Sequence, residues 1–136
     1  MYTAHATAIA GRNGHVETSD GLVKVDMTVP KEKGGPGKPG ATNPEQLFAA
    51  GYAACFGGAI VAAAGAERVK PEQVKVTADV KIDKNDSGFF LAVTLNCKLD
   101  GIERADAERF VQKAHEEICP YSKATRNNID VKLVVQ

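Results

Sequence analysis

Three cysteines, Cys55, Cys97 and Cys119, are the residues of this 136-residue chain with the most chemistry to offer. A thiolate can attack an electrophile, hold a metal or form a disulfide, and its surroundings decide which. Cys97 alternates with Leu95 and Leu99 on the apolar face of a predicted strand. It reads as a small hydrophobe whose burial raises its pKa and blunts its reactivity. Cys55 lies in an apolar helical run, where periodicity alone leaves packing and reactivity both open. Cys119 ends one predicted helix, and Pro120 can begin another, so its thiol has access to backbone N–H groups that lack helical partners. His115 and Cys119 stand at i and i+4, a spacing that can chelate zinc with Cys55 as third ligand. Against zinc, there is no Cys-x-x-Cys pair and no fourth ligand, and His115 beside Glu116 and Glu117 reads as a solvated helix face. No metal site is therefore expected.

The elements that must position these thiols follow from periodicity. Thr42 or Asn43 can cap a helix that has Pro44 in its first turn and Glu45 at the positive end of the dipole. The run from Gln46 to Ala64 is apolar nearly all round, which predicts burial on every side. One small subunit has little material to surround such a helix, so a homodimer is expected, with Gly51, Gly57 and Gly58 permitting close approach. Upstream, short strands are predicted near residues 3–9, 15–19 and 23–29, the first two joined by a Gly11-Arg12-Asn13-Gly14 turn whose Asn-Gly pair tolerates positive φ. Pro30 to Gly40 is a Lys/Gly/Pro covering loop without P-loop spacing. After Pro71 the period becomes two: a strand through residues 74–82, a turn at Asn85-Asp86-Ser87-Gly88, and a strand through residues 89–99. A helix over about residues 103–118 and a last strand over 129–135 complete the chain. The fold class is α+β, one domain over residues 1–136, with antiparallel sheets segregated from two main helices.

Composition excludes several functions. Seventeen basic residues balance seventeen acidic ones, so no cationic surface for nucleic acid or anionic membrane is expected. The N-terminus lacks the pattern of a signal peptide, and the most apolar stretch, Gly51 to Gly65, reads as too short to span a bilayer. An odd number of cysteines suits a reducing compartment, so a cytoplasmic protein is expected.

Two segments add more than spacing. Thr42-Asn43-Pro44-Glu45-Gln46-Leu47-Phe48-Ala49-Ala50-Gly51-Tyr52-Ala53-Ala54-Cys55-Phe56 and Cys119-Pro120-Tyr121-Ser122-Lys123-Ala124-Thr125-Arg126 closely resemble the two cysteine motifs of the organic hydroperoxide resistance (Ohr) family, within the OsmC/Ohr superfamily. The resemblance covers essentially the whole chain. It implies an OsmC/Ohr-like fold, with antiparallel sheets packed around two central helices in an intertwined homodimer whose active sites lie at the interface. It also implies a thiol peroxidase for organic, including lipid, hydroperoxides, with Cys55 as peroxidatic thiol and Cys119 as resolving thiol. Arg12 would activate the thiolate and Glu45 would orient Arg12. No bound cofactor is implied; the reductant would be an external lipoyl-type dithiol carried on a protein. Phe48, Tyr52 and Phe56 surround Cys55 along the predicted helix and are the expected substrate-binding residues. An apolar pocket there rewards an organic tail by about 0.8 kcal/mol per buried methylene, which hydrogen peroxide cannot supply. Tyr121 and Arg126 fit a site role or a surface role equally.

Helix geometry adds one expectation. Glu45 and Cys55 are ten residues apart, about 15 Å along a straight helix. An Arg12 serving both therefore needs a bent helix or two subunits, and a site composite across the dimer is expected. The competing readings are an OsmC-branch peroxidase with a broader peroxide range, or a non-catalytic dimer with structural or zinc-binding cysteines.

Overall fold

The computed structural model describes all 136 residues, which divide into two compact units, Met1–Leu47 and Phe48–Gln136. The first unit is a three-stranded antiparallel meander of β1 (Ala6–Ile9), β2 (His15–Thr18) and β3 (Lys24–Asp26). The strands are shorter than the alternation in sequence predicts, because flanking backbone groups bond elsewhere. The Val29 N–H donates to the Asn13 side chain at 3.0 Å, and the Thr28 N–H donates to the Thr42 carbonyl at 2.8 Å. The turn joining β1 to β2 also departs from expectation. Positive φ falls on Ala10 (59°) and Gly11 (58°), not on Asn13-Gly14. Gly14 is demanded instead by close approach, since a Cβ there would lie 1.7 Å from the Ile9 carbonyl oxygen. The loop from Pro30 to Gly40 contains a short 3-10 turn over Lys31–Lys33, a local regularity that its glycines and prolines do not prevent. It folds back on the chain before it, with the Gly37 N–H on the Val29 carbonyl and the Lys38 N–H on Thr28 Oγ1, each at 3.0 Å.

Helix α1 (Pro44–Ala66) starts as predicted: Asn43 Oδ1 accepts from the Gln46 N–H at 2.9 Å, and Pro44 takes the first helical position. One expectation about this helix changes. At 23 residues it is long and apolar enough, by length and composition, to cross a membrane, because it extends beyond Gly51 to Gly65 at both ends. Within the chain it is covered on part of its circumference, in line with the expectation that one small subunit cannot surround it. Tyr52, Phe56, Ala59, Ile60, Ala63 and Ala64 are buried, whereas Ala54 and Gly58 face outward and Val61 is 53% exposed.

The second unit pairs β4 (Gln73–Asn85) with β5 (Gly88–Asp100) in a long antiparallel hairpin, closed at the predicted turn with Asn85 opposite Gly88. Alternate residues Val93, Leu95, Cys97 and Leu99 of β5 face the core. The expected single helix over 103–118 is α2 (Arg104–Lys113) followed by a wider π-helical turn, Ala114–Ile118. Helix α3 (Pro120–Thr125) and β6 (Val131–Val135) complete the chain. The sheet is not wholly antiparallel: β6 adds alongside β5 in parallel, with Leu95 opposite Leu133. A helical connection between β5 and β6 returns the chain to the end where β5 began, which is what a parallel neighbour requires. Tyr52, Phe56 and Ile60 of α1 meet Leu95 of β5 and Phe110 and Val111 of α2 in one core.

Candidate active site

The first unit holds Arg12 and Glu45. Arg12 sits in the 3-10 turn between β1 and β2, and Glu45 in the first turn of α1. Arg12 donates from Nη1 to Glu45 Oε2 at 3.0 Å and from Nη2 to Oε1 at 2.8 Å. Two parallel charge-assisted bonds fix the plane of the guanidinium as well as its position. The Arg12 hydrogen bond is the main cause holding the Glu45 carboxyl below its usual pKa, and Glu45 in turn raises that of Arg12. Within one chain the structure thus joins the two residues expected to act together, from positions 33 apart in sequence.

The second unit brings together the two motif cysteines. Cys55 projects from the middle of α1, and Cys119 lies between the π-helical turn and α3. Their sulfurs are 3.5 Å apart, across 64 residues of sequence. Closing to a disulfide needs an approach of about 1.5 Å. Cys119 occupies the N-cap of α3, and its sulfur accepts the Ser122 N–H at 3.4 Å, the arrangement the Cys-Pro junction predicts. Burial pushes the Cys55 thiol up, and the Tyr121 backbone N–H opposes this by favouring the thiolate. Cys97 is separate: fully buried on β5, its thiol is pushed up to about 12 by burial alone. It is a packing residue, as its strand position predicts.

The three expected pocket aromatics stack along α1. Phe48 meets Tyr52 edge-on at 5.9 Å between ring centroids, and Tyr52 meets Phe56 at 6.2 Å. Tyr52 and Phe56 are wholly buried, and Phe48 is half-buried. Tyr121, which sequence left between two roles, is the most exposed ring of the group at 40%. It packs 6.2 Å from Phe48 and 5.7 Å from Tyr52. Gly51 makes this possible, because a Cβ there would come within 2.9 Å of the Tyr121 hydroxyl oxygen.

No three His, Cys, Asp or Glu side chains are grouped to hold a metal. His115 is half-buried rather than solvated, and its Nδ1 lies 2.8 Å from Ser122 Oγ. Ser122 belongs to a buried polar cluster that sequence reasoning missed, with Tyr52 Oη 2.9 Å from both Ser122 Oγ and Thr125 Oγ1. Its signal in sequence was slight: polar residues at i and i+3 in a six-residue helix, a pattern that usually faces water.

Comparison with known proteins places the chain in a family. The family model described as OsmC-like protein matches residues 34–134. The organic hydroperoxide resistance protein of Xanthomonas axonopodis pv. citri is 47% identical over 99% of this chain and 94% of its own length. The organic hydroperoxide resistance protein OhrA of Bacillus subtilis is likewise 47% identical, over 99% of this chain and 96% of its own. The crystal structure of an organic hydroperoxide resistance protein from Legionella pneumophila shares 52% identity, covering 100% of this chain and 98% of that one, with a TM-score of 0.93. The motifs around Cys55 and Cys119, the α+β fold and these full-length similarities agree that the chain belongs to the organic hydroperoxide resistance branch of the OsmC/Ohr family.

Proposed function

We propose that this protein is a thiol-dependent peroxidase that reduces organic hydroperoxides, lipid-derived ones included, to alcohols. The observation that carries the reading is the 3.5 Å approach of Cys55 and Cys119 beside a partly exposed aromatic cluster. The Cys55 thiolate attacks the terminal peroxide oxygen. The O–O bond breaks, the alkoxide leaves and takes a proton to become the alcohol, and Cys55 becomes a sulfenic acid. The Cys119 thiol then attacks the Cys55 sulfur, releasing water and forming the Cys55–Cys119 disulfide. A dithiol of the lipoyl type, carried on a partner protein, restores both thiols by exchange and is itself oxidised to a disulfide.

Within the second unit, burial works against the Cys55 thiolate. A guanidinium beside the sulfur reverses that bias, each pKa unit being worth about 1.4 kcal/mol. Arg12, held in plane by Glu45, suits the task because it stays charged at every working pH. In this reading the Arg12–Glu45 pair of one subunit serves the Cys55 of its partner in an intertwined cytoplasmic homodimer. The outward Ala54, Gly58 and Val61 of α1 supply a surface for that contact. Phe48 and Tyr121 meet the organic tail of the substrate, with Tyr52 and Phe56 behind them.

Stoichiometric cumene hydroperoxide added to wild type, Cys55→Ser, Cys119→Ser and Cys97→Ser tests the reading. An intramolecular disulfide is expected in wild type and Cys97→Ser alone. Undiminished peroxide consumption by Cys55→Ser ends the assignment. Equal turnover of hydrogen peroxide removes the organic preference, and reduction by glutathione as fast as by a lipoyl dithiol removes the proposed donor.

A further inference from the structure

Tyr52 and Cys55 stand three residues apart on α1, and Cys119 and Ser122 stand three residues apart across the start of α3. The same two elements are therefore joined at two places: by the Cys55–Cys119 sulfurs at 3.5 Å, and by Tyr52 Oη, which lies 2.9 Å from both Ser122 Oγ and Thr125 Oγ1. We propose that the Tyr52–Ser122 hydrogen bond is a permanent tie that holds α1 and α3 in register for the thiol pair, making Tyr52 and Ser122 positioning residues for disulfide formation.

One proton arrangement satisfies every hydroxyl around the tie. Thr125 Oγ1 donates to the Ser122 carbonyl at 3.2 Å, which leaves its oxygen to accept from Tyr52. The Tyr52 hydroxyl, its proton given to Thr125, accepts from the Ser122 hydroxyl, and Ser122 Oγ accepts from His115 Nδ1–H. Each hydroxyl gives one proton and receives one. The chain runs from His115 in the π-helical turn, through Ser122 to α1, and back to α3. All three hydroxyls are buried, so breaking one link strands a polar group away from water. No buried side-chain N or O atom lacks a partner. The Ser122 carbonyl also accepts from the Arg126 backbone N–H at 2.8 Å and Arg126 Nε at 3.3 Å, which holds the helix whose N-cap is Cys119.

The tie differs from the thiol contact in one respect. The sulfurs are bonded in one redox state and separate in the other, whereas hydroxyls do not change with redox state. Without the tie, α3 can drift from α1 each time the disulfide opens. A displacement of about 1 Å is enough to slow a reaction between two held groups severely.

Two measurements on Tyr52→Phe, Ser122→Ala and the double variant test this. The first needs no peroxide: the equilibrium of the Cys55–Cys119 disulfide against a dithiothreitol redox buffer. Each single variant is expected to weaken the disulfide about tenfold, a rise in reduction potential of about 30 mV. The double variant should shift it by less than the sum of the single effects, because both changes remove the shared Tyr52–Ser122 bond, although each also removes one of its own, to Thr125 or to His115. The second rests on the proposed peroxidase function: dimedone trapping and mass spectrometry after one equivalent of tert-butyl hydroperoxide. In the variants the Cys55 sulfenic acid should live about tenfold longer, with more over-oxidation to sulfinic acid. Redox equilibria within twofold of wild type, or additive effects in the double variant, overturn the tie. A wild type that forms the disulfide in redox buffer but never a sulfenic acid with peroxide overturns the peroxidase reading and leaves the tie standing. Should Ser122→Ala melt below the assay temperature, Tyr52→Phe alone decides the equilibrium measurement.

Discussion

In native protein at about pH 7.5, iodoacetamide is expected to leave Cys97 unmodified over a period that labels it fully once the chain is unfolded. The size of the effect follows from its burial on β5 and a thiol pushed up to about 12. At that pH an ordinary thiol of pKa about 8.5 is ionised in about one molecule in ten. A thiol at about 12 is ionised in about three per hundred thousand, a deficit of about 3,000-fold. The more basic thiolate is intrinsically the better nucleophile, which returns about 40-fold. Ionisation alone thus leaves a protection of roughly 80-fold, and enclosure by the core multiplies it. The assay is timed alkylation, native against guanidinium-unfolded, with each cysteine followed by peptide mass spectrometry. Native labelling of Cys97 within tenfold of its unfolded rate would refute the link between burial, ionisation and inertness. It would also reopen the question of which two thiols form the redox pair.

Three further outcomes are expected. Glu45→Gln removes the charge that Arg12 grips in two bonds and should lower the melting temperature near neutral pH. Because Arg12 depresses the folded-state pKa of Glu45, its contribution is complete above the ordinary carboxylate pKa and disappears as pH falls through the depressed value. The wild-type and Glu45→Gln melting curves should therefore converge as pH falls below the ordinary carboxylate range. Gly14→Ala would place a methyl 1.7 Å from the Ile9 carbonyl oxygen, and should cost at least about 2 kcal/mol in urea unfolding, with loss of the β1–β2 turn that carries Arg12. Phe110→Ala empties a fully buried site facing α1 and β5, and should cost about 3–5 kcal/mol by the same method, with no new alkylation of Cys97 unless the core opens.

The parts of this fold legible in sequence are those where one local rule operates alone. The Asn43-Pro44-Glu45 cap, the β4–β5 hairpin and the core face of β5 each follow from residues within a few positions of one another. The burial of Cys97 was legible for the same reason. Parallel addition of β6 was not, because its residues alternate identically whichever way the strand runs. The outward face of α1 was not legible either: alanine and glycine suit core and surface alike, and a flat apolar pattern does not say which side the rest of the chain covers. At the site, the thiols and the Arg12–Glu45 pair could be named from motif resemblance, but their distances depend on pairings 64 and 33 residues apart. The Tyr52–Ser122–Thr125–His115 cluster was hidden, since Tyr52 resembles one more aromatic of an apolar helix. His115, flanked by glutamates, resembles a surface residue, until the π-helical turn rotates it inward.

The order of the motifs along the chain has a consequence during synthesis. Translation runs at about 5–20 residues per second, so the 64 residues between the thiols separate their appearance by roughly 3–13 s. In that interval α1 is completed, α2 appears only near the end, and α3 and β6 are still unmade, so Tyr52, Phe56 and Ile60 lack part of their eventual cover. Cys55 on a nascent chain has no Cys119 with which to pair. A cell under oxidant attack would damage newly made chains more readily than finished ones. The vulnerable population then scales with the rate of expression, and holding that helix until its last partners emerge becomes work for a chaperone.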